Sequence, residues 1–212
     1  MSISETFKYE PSVKVDTSNY RKHTSDNPIQ RRLIDRFHAK ITEIVTDLRP
    51  RTLLDAGCGE GFVDEIFLAA MPELQITGFD VLEDSVKLAS MRNPRATFSS
   101  GDIYNIDHPD NSFDVVVAFE VMEHLHEPDK GLSEMARVAK EYVVLSVPHE
   151  PFFCLANAAR GKNLDINPKG SDPDHRNFWS REKFGEFVSR ELDVVTLTGS
   201  FPWTICVGRP RR

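Results

Sequence analysis

The chain has 212 residues, of which 40% are hydrophobic, and a formal net charge of −7 at neutral pH. This length favours a single domain, and this apolar fraction is sufficient for a packed core rather than a disordered chain. The negative charge argues against a nucleic-acid partner, because general nucleic-acid binders carry a basic face.

The cysteine count and the hydropathy pattern indicate a reduced, cytoplasmic protein. The three cysteines are an odd number at no disulfide or metal spacing. No apolar run approaches the roughly 18 residues of a transmembrane helix, and residues 1–16 lack the apolar core of a signal peptide. The pattern carries no information on the oligomeric state.

The predicted elements alternate along the chain. Residues 1–27 read as an irregular and flexible segment. Residues 28–212 read as one domain, which starts with a helix that ends at the proline at position 50. Strands are predicted at 52–56, 75–79, 96–99, 113–119 and 142–147, and helices at 62–71, 82–91 and 132–139. Residues 149–179 break this pattern and read as an insertion or lid.

The last part of the chain is predicted to contain a helix capped by Ser180 and two hairpin strands at 192–197 and 204–207. Continuous apolar strands that alternate with helices indicate a parallel sheet covered on both faces. The predicted fold class is therefore α/β, with a seven-stranded, mostly parallel sheet, helices on both faces and a single Rossmann-like domain.

A glycine turn follows the first predicted strand. Residues 53–61 read Leu-Leu-Asp-Ala-Gly-Cys-Gly-Glu-Gly, and a predicted helix begins directly after them. A buried strand, a tight glycine turn and a helix N-terminus are typical of a site for a nucleotide-type cofactor. The spacing G-x-G-x-G differs from the dinucleotide fingerprint G-x-G-x-x-G, and the P-loop sequence Gly-Lys-Ser/Thr is absent.

Acidic residues follow the first three predicted strands. Asp55 ends the first strand, Asp80 ends the second and Asp102 follows the third. Ligands of such sheets bind at the carboxyl ends of the strands. A carboxylate after the second strand can accept hydrogen bonds from ribose hydroxyls, and one after the third can meet the exocyclic amine of a purine.

Four motifs in this order resemble the class I S-adenosylmethionine-dependent methyltransferases of types 11 and 12. They are the run from Asp55 to Gly61, Asp80, Gly101-Asp102-Ile103, and the strand at 113–119 followed by Glu120. The resemblance covers roughly residues 50–148. It implies that the glycine loop passes the methionine moiety, that Asp80 binds ribose and that Asp102 contacts adenine. In related enzymes a segment such as that of Tyr20, Arg21 and Lys22 can fold over the cofactor as a cap, and solvated disorder is the alternative for residues 1–27. The expected cofactor-binding set is Asp55, Gly57, Cys58, Gly59, Asp80, Val81, Gly101, Asp102, Ile103, Phe119 and Glu120.

A second cluster of titratable residues follows the fourth predicted strand. If this segment is helical, Glu120, Glu123 and His124 share one face and would suit a divalent metal. The same pattern occurs in similar methyltransferases that need no metal, where it orients the loop. With His175, the set also resembles the small-RNA terminal 2′-O-methyltransferases, which implies magnesium or manganese held by Glu120, Glu123, His124 and His175. Alternatively, His175 packs against Trp179 at a helix entry.

The predicted function is methylation of a small-molecule hydroxyl, such as a sugar, a diol or a natural product, with metal assistance as an option. His124 and Glu120 are the candidate catalytic residues, and His149 is a candidate base if no metal binds. Residues 151–157 read either as an apolar lid over the acceptor or as a short core helix. The alternatives are methylation of an isoprenoid quinone-like ring, RNA 2′-O-methylation, and a non-catalytic methyltransferase-like binding subunit.

Overall fold

The computed structural model describes residues 17–212, so the predictions for residues 1–16 lie outside the described part of the chain. The segment expected to be irregular contains a helix, α1 (Ser18–His23). The Thr17 hydroxyl accepts a hydrogen bond from the Tyr20 backbone N–H at 2.9 Å. Thr17 is thus an N-cap, and this capping residue was the overlooked signal for the helix.

The remaining elements follow in chain order. They are α2 (Pro28–Leu48), β1 (Thr52–Ala56), α3 (Phe62–Ala70), β2 (Gln75–Asp80), α4 (Glu83–Arg92), β3 (Thr97–Ser100), β4 (Phe113–Phe119), a 3-10 helix (Met122–His124), α5 (Pro128–Val138), β5 (Ala139–Pro148), α6 (Phe152–Ala159), α7 (Arg181–Val188), β6 (Leu192–Ser200) and β7 (Trp203–Pro210).

The strands form one seven-stranded sheet in the order β3-β2-β1-β4-β5-β7-β6. Strands β1 to β5 pair in parallel, whereas β7 runs antiparallel to both β5 and β6. This confirms the predicted fold class and the closing hairpin. The strand order reverses between β1 and β4, and this switch point is where an α/β sheet opens a crevice at its carboxyl edge.

The continuous apolar run of β4 reflects burial on both faces of the sheet. Val116 belongs to the core that is shared with α5 and α7. Val115 and Val117 point the other way, into the core that is shared with α2 and α3. Because strand side chains alternate between faces, a strand covered on both sides needs apolar residues at every position.

Besides shifts of a few residues at the ends of other elements, three features differ from the sequence prediction, two of them where polar residues interrupt the apolar pattern. Helix α5 begins at Pro128 rather than at residue 132, since its first turn contains the exposed Asp129 and Lys130. Strand β5 begins at Ala139, and a register irregularity separates its first pair from the pairing of Tyr142 with Val115.

The insertion at 149–179 contains the third difference, helix α6. Cys154 and Asn157 are buried on its inner side, whereas Phe152 and Leu155 are exposed. The Glu150 carboxylate anchors the helix by accepting from the Cys154 backbone N–H at 3.2 Å. Residues 151–157 are therefore helical and partly exposed. Within residues 17–212, no helix combines the length and the apolar character needed to cross a bilayer.

Candidate active site

A cavity of about 880 Å³ opens at the carboxyl ends of β1, β2 and β4. Its lining includes the glycine loop, Asp80 and Asp102 at one end, and Glu123, His124 and His175 at the other. The described residues thus bring both sequence-predicted clusters to a single site, at the edge of the sheet where the fold predicts a ligand.

The glycine loop has a backbone that other residues rarely adopt. Gly57, Gly59 and Gly61 have φ angles of +90°, +53° and +74°. The Gly57 and Cys58 N–H groups both donate to the Phe79 carbonyl, at 2.8 and 3.0 Å. A Cβ atom on Gly57 would lie 2.6 Å from Val121 Cγ2. The loop therefore needs glycine for its conformation and for its close packing against the end of β4.

Asp80 fixes the loop from the neighbouring strand. Its Oδ2 accepts from the Gly59 N–H at 3.0 Å, and its Oδ1 accepts from the Leu82 N–H at 2.9 Å. Burial raises the pKa of Asp80, and these backbone donors oppose that rise. Each carboxylate oxygen retains a free lone pair, so Asp80 can still accept hydrogen bonds from a ligand in the cavity.

The other residues of the predicted cofactor set lie around the same end of the cavity. Asp102 is exposed, and its Oδ1 accepts from the Tyr104 N–H at 2.8 Å. The side chain of Val81 is 79% exposed. The cavity lining contains every member of the predicted set: Asp55, Gly57, Cys58, Gly59, Asp80, Val81, Gly101, Asp102, Ile103, Phe119 and Glu120.

Asp55 is buried beneath the glycine loop, next to a second buried acid that the sequence analysis missed, Asp64 on α3. Burial, followed by the proximity of Asp64, raises the pKa of Asp55, and burial raises that of Asp64. Burial also raises the pKa of the Cys58 thiol. Burial therefore disfavours the charged form of each of these groups below the loop.

Helix α1 covers the glycine loop through Glu60, a fully buried residue whose role the sequence did not reveal. The Glu60 carboxylate accepts from Thr17 Oγ1 at 2.5 Å and from Asn19 Nδ2 at 2.6 Å. Ser85 Oγ donates to the same carboxylate at 3.2 Å. The part of the expected cap that lies within residues 17–27 is thus fastened to the loop by a buried carboxylate with three donors.

A histidine pair holds the far end of α1. His23 stacks on Phe62 with ring centroids 4.4 Å apart, and its Nε2 lies 3.1 Å from His38 Nε2. His23 Nδ1 donates to the Asn19 carbonyl, because a carbonyl oxygen can only accept. Burial lowers the pKa of His23, and a neutral His23 accepts at Nε2 from the Nε2–H of His38. The contact is lost when both rings are protonated, because both Nε2 atoms then carry a hydrogen.

At the opposite end of the cavity, Glu123, His124 and His175 offer ligand atoms that lie within 4.8 Å of one another. Glu123 is 1% exposed, and neither carboxylate oxygen has a hydrogen-bond partner among the described residues. Burial, followed by the charge of Glu120, raises its pKa well above the usual value. Such a carboxylate is costly to bury unless a cation or a donor approaches it.

The tautomer of His124 follows from its neighbour. His124 Nδ1 lies 3.1 Å from the Asp174 carbonyl oxygen, which can only accept, so Nδ1 carries the hydrogen. The Nε2 lone pair of His124 is therefore available for a metal or a proton. His175 stacks on Phe153 of α6 with centroids 5.5 Å apart, and burial lowers its pKa.

Glu120 does not share a helical face with Glu123 and His124. The segment is not helical at Glu120, so the condition for the predicted shared face is not met. Glu120 has a left-handed φ of +59°, and the 3-10 helix begins two residues later. Its carboxylate accepts from Ser146 Oγ and from Trp203 Nε1. Glu120 therefore lines the cavity but lies outside the group formed by Glu123, His124 and His175.

The predicted base His149 is not among the residues that line the cavity. Its backbone N–H donates to the Pro202 carbonyl at 2.8 Å, and its ring packs edge-on against Phe152 at 5.1 Å. This position directly after β5, outside the cavity lining, does not support a base role.

Asn177 brings the insertion to the site, and the sequence analysis missed it. Its side-chain amide donates to the carbonyls of Met122 and Leu125, and its backbone N–H donates to the Glu123 carbonyl. These three bonds hold the segment with His175 against the 3-10 helix. The signal was a single asparagine before the capped helix, which without the tertiary structure reads only as a loop residue.

The comparisons with known proteins agree with this geometry. Residues 54–146 match the family model described as "Methyltransferase domain". A probable S-adenosylmethionine-dependent methyltransferase of Mycolicibacterium smegmatis is 33% identical over 150 residues, which are 70% of this chain and 49% of the relative. This region is a class I S-adenosylmethionine-dependent methyltransferase domain.

Two further relatives differ in their named reactions. Ajmaline N-methyltransferase of Rauvolfia serpentina is 31% identical over 110 residues, covering 48% of this chain and 38% of the relative. Demethylmenaquinone methyltransferase of Thermotoga maritima is 27% identical over 105 residues, covering 50% and 46%. The chain thus spans about half or less of the length of these curated relatives. None of these three relatives is named as a small-RNA methyltransferase, so that resemblance stays a prediction.

Among solved structures, magnesium protoporphyrin IX methyltransferase from Synechocystis, with bound S-adenosylhomocysteine, superposes with a TM-score of 0.68. The two chains are 17% identical, and the match covers 91% of this methyltransferase-domain chain and 92% of the other. This similarity establishes a shared Rossmann-like methyltransferase fold along most of the described chain.

Proposed function

We propose that this protein transfers the methyl group of S-adenosylmethionine to a hydroxyl of a small molecule. The observation that carries the proposal is the arrangement of the cavity, in which the glycine loop and Asp80 lie at one end and Glu123, His124 and His175 at the other. A cofactor at the first end would direct its methyl group toward the second.

The cofactor roles follow from the loop geometry and the donors around it. The glycine loop would pass the methionine moiety, and Asp80 would accept from the ribose hydroxyls with the lone pairs that the Gly59 and Leu82 N–H groups leave free. Asp102 has one carboxylate oxygen without a backbone donor and is placed to meet adenine. The proposed chemistry is an in-line displacement in which the acceptor oxygen gains the methyl group and S-adenosylhomocysteine leaves.

The acceptor end has a donor set that fits a divalent cation. Glu123 offers a buried carboxylate without hydrogen bonds, and His124 offers the lone pair of Nε2. A mixed carboxylate and imidazole set suits Mn²⁺ better than Mg²⁺, which takes oxygen ligands. When bound, such an ion would lower the pKa of a coordinated hydroxyl. Without an ion, the same Nε2 of His124 could accept the hydroxyl proton.

The proposal of O-methylation rests on this need for deprotonation. An alcohol must lose its proton as the new bond forms, whereas a neutral amine attacks with its lone pair. A base or metal cluster beside the methyl acceptor therefore favours a hydroxyl substrate. Asp172 also lines this end of the cavity, so its polar character suits a sugar or diol.

A second candidate function is methylation of an apolar ring such as a quinone. Phe152 is 49% exposed, Leu155 is 60% exposed and Phe201 is 57% exposed. The rings of Phe152 and Phe201 lie 6.5 Å apart, and their neighbours Phe153 and Pro202 line the cavity. An apolar surface beside the cavity mouth favours a hydrophobic acceptor. The demethylmenaquinone relative agrees with this candidate.

Calorimetry with S-adenosylhomocysteine, followed by an acceptor screen, tests the proposal. We expect micromolar binding of S-adenosylhomocysteine and methylation of a hydroxyl acceptor that is lost with chelator and restored by Mn²⁺. The His124→Ala variant should lose the metal-stimulated activity and keep cofactor affinity within about twofold, because His124 lies at the acceptor end. Chelator-independent methylation of amines, or activity only on quinones with lipid present, would reject the hydroxyl proposal.

A further inference from the structure

The cofactor carries charges at the end opposite its nucleoside. S-adenosylmethionine and S-adenosylhomocysteine end in an α-ammonium and an α-carboxylate, and the proposed roles of Asp80 and Asp102 leave this end near Gly57 and Gly59. The nearby ionisable groups of the sheet edge are acidic, namely Asp55 and Glu120. An anionic carboxylate placed there needs a cation.

Helix α1 brings a lysine to this end of the cavity. The Asn19 side chain lies over the glycine loop, where its Nδ2 would be 2.9 Å from a Cβ atom on Gly59. Lys22 follows three residues later, so it lies on the same face of α1 as Asn19. Lys22 is half-buried and lines the cavity. The buried bonds to Glu60 fix the helix that presents it.

The Lys22 ammonium group has no fixed partner among the residues that the structure describes. Across residues 17–212, its side chain makes no hydrogen bond and no ion pair that the structure records. Its charge nevertheless acts on buried groups from two other elements. Burial raises the pKa of Glu120 and the Lys22 charge opposes this rise, whereas burial lowers the pKa of His38 and the Lys22 charge lowers it further. The ammonium therefore lies inside the site and retains its donors for a ligand.

Other cations near the cavity are less suited. Arg160 and Lys162 are exposed and follow α6, on the acceptor side. The Arg160 guanidinium already donates to Asn157 Oδ1 and to the Ala156 carbonyl. Arg21 also lines the cavity from α1 but is exposed, so among the lysines and arginines of residues 17–212 it is Lys22 that combines partial burial with a position on the helix fastened to the glycine loop.

We propose that Lys22 binds the α-carboxylate of the cofactor, so that α1 closes over the amino-acid end of S-adenosylmethionine. This inference rests on the proposed function, because it assumes that cofactor. It makes Lys22 a binding residue, and it makes Glu60, which acts through α1, a positioning residue.

Two ligands that differ in the amino-acid part provide the test. S-adenosylhomocysteine has the α-carboxylate, and 5′-methylthioadenosine lacks the whole amino-acid group but keeps the nucleoside and the sulfur. In calorimetry, Lys22→Met should weaken S-adenosylhomocysteine binding roughly ten- to hundredfold, as expected for the loss of a charge-assisted bond. The affinity for 5′-methylthioadenosine should stay within about twofold.

Two further variants serve as controls. Lys22→Arg should retain most of the S-adenosylhomocysteine affinity because it keeps the cation, and Lys162→Met should leave both affinities unchanged because it lies on the acceptor side. Unaltered S-adenosylhomocysteine binding by Lys22→Met, or an equal loss of affinity for both ligands, would overturn the inference but not the proposed function. Failure of the unsubstituted protein to bind either ligand would overturn the proposed function and, with it, the inference.

Discussion

The two ends of the cavity differ in how their carboxylates are satisfied. Asp80, at the cofactor end, accepts from two backbone N–H groups of the loops beside it. Glu123, at the acceptor end, is buried without a hydrogen-bond partner within the described residues. The cofactor end is therefore shaped by its own backbone before any ligand binds, whereas the acceptor end has unmet bonding capacity that a ligand or cation would satisfy.

The two ends of the cavity also differ in how they are attached to the core. The glycine loop joins β1 to α3 and is packed against the end of β4. The acceptor end takes His175 from an insertion that Asn177 attaches to the 3-10 helix. The site is thus more preorganised next to the sheet than next to the insertion. Substitutions next to the sheet should therefore have the larger effects.

The largest effect is expected from a pair of glycine substitutions, one at each end. Gly57→Ala combines a positive φ with a clash against Val121, which should lower the free energy of unfolding by about 2–4 kcal/mol. Gly161→Ala has φ +72° but open space around its Cβ, so about 1 kcal/mol is expected. Urea denaturation measures both, and equal losses would contradict the tight packing of the cofactor end.

The next effect concerns cofactor affinity. Asp80→Ala removes the proposed ribose acceptor and the bond to Gly59, and it should weaken S-adenosylhomocysteine binding by about 1.5–3 kcal/mol. Asp84→Ala, an exposed acid on the neighbouring helix, should change the affinity by less than twofold. Calorimetry that finds unchanged binding in Asp80→Ala would refute the ribose role.

A pH measurement tests whether α1 is a fixed part of the cofactor end. Burial lowers the pKa of His38 to about 4, and burial also lowers that of His23. The unfolded chain therefore binds more protons below pH 6.5, and stability should fall as the pH drops from 6.5 toward 4. His38 alone should account for about 2 kcal/mol between pH 7 and 5.

The His38→Gln variant should reduce this pH dependence, because its amide can still donate to His23 but cannot become protonated. His126→Gln, at an exposed position, should leave the dependence unchanged. Thermal denaturation at several pH values provides the measurement, and parallel curves for His38→Gln and the unsubstituted protein would show that the pair does not hold α1.

The smallest effect is expected at the acceptor end and has the opposite sign. Glu123→Met replaces a buried, unpartnered carboxyl with an apolar side chain of similar size, so stability without metal should rise by about 1 kcal/mol. Glu127→Met, at an exposed neighbour, should stay within about 0.5 kcal/mol. A marked destabilisation by Glu123→Met would indicate that Glu123 has a structural partner and is not available to bind a ligand.

Periodicity in the sequence predicted most of the sheet, because β1 and β4 are largely apolar and their bounds depend on local residue type. It failed where local signals were weak. Helix α1 has only Thr17 as a cap signal, and the first turn of α5 is polar. The residues proposed to bind the cofactor could be named from the sequence because the glycine spacing and the strand-end acids are local features of the chain.

The sequence by itself determined the fold class and the residues proposed to bind the cofactor, since alternating burial and the positive φ values of the glycine loop restrict which residues fit at each position. Only the tertiary structure decided the roles of Glu60, Asp64 and Asn177, and it separated Glu120 from Glu123. These roles depend on contacts between segments far apart in the chain, where desolvation and the supply of hydrogen-bond partners cannot be deduced from neighbouring residues.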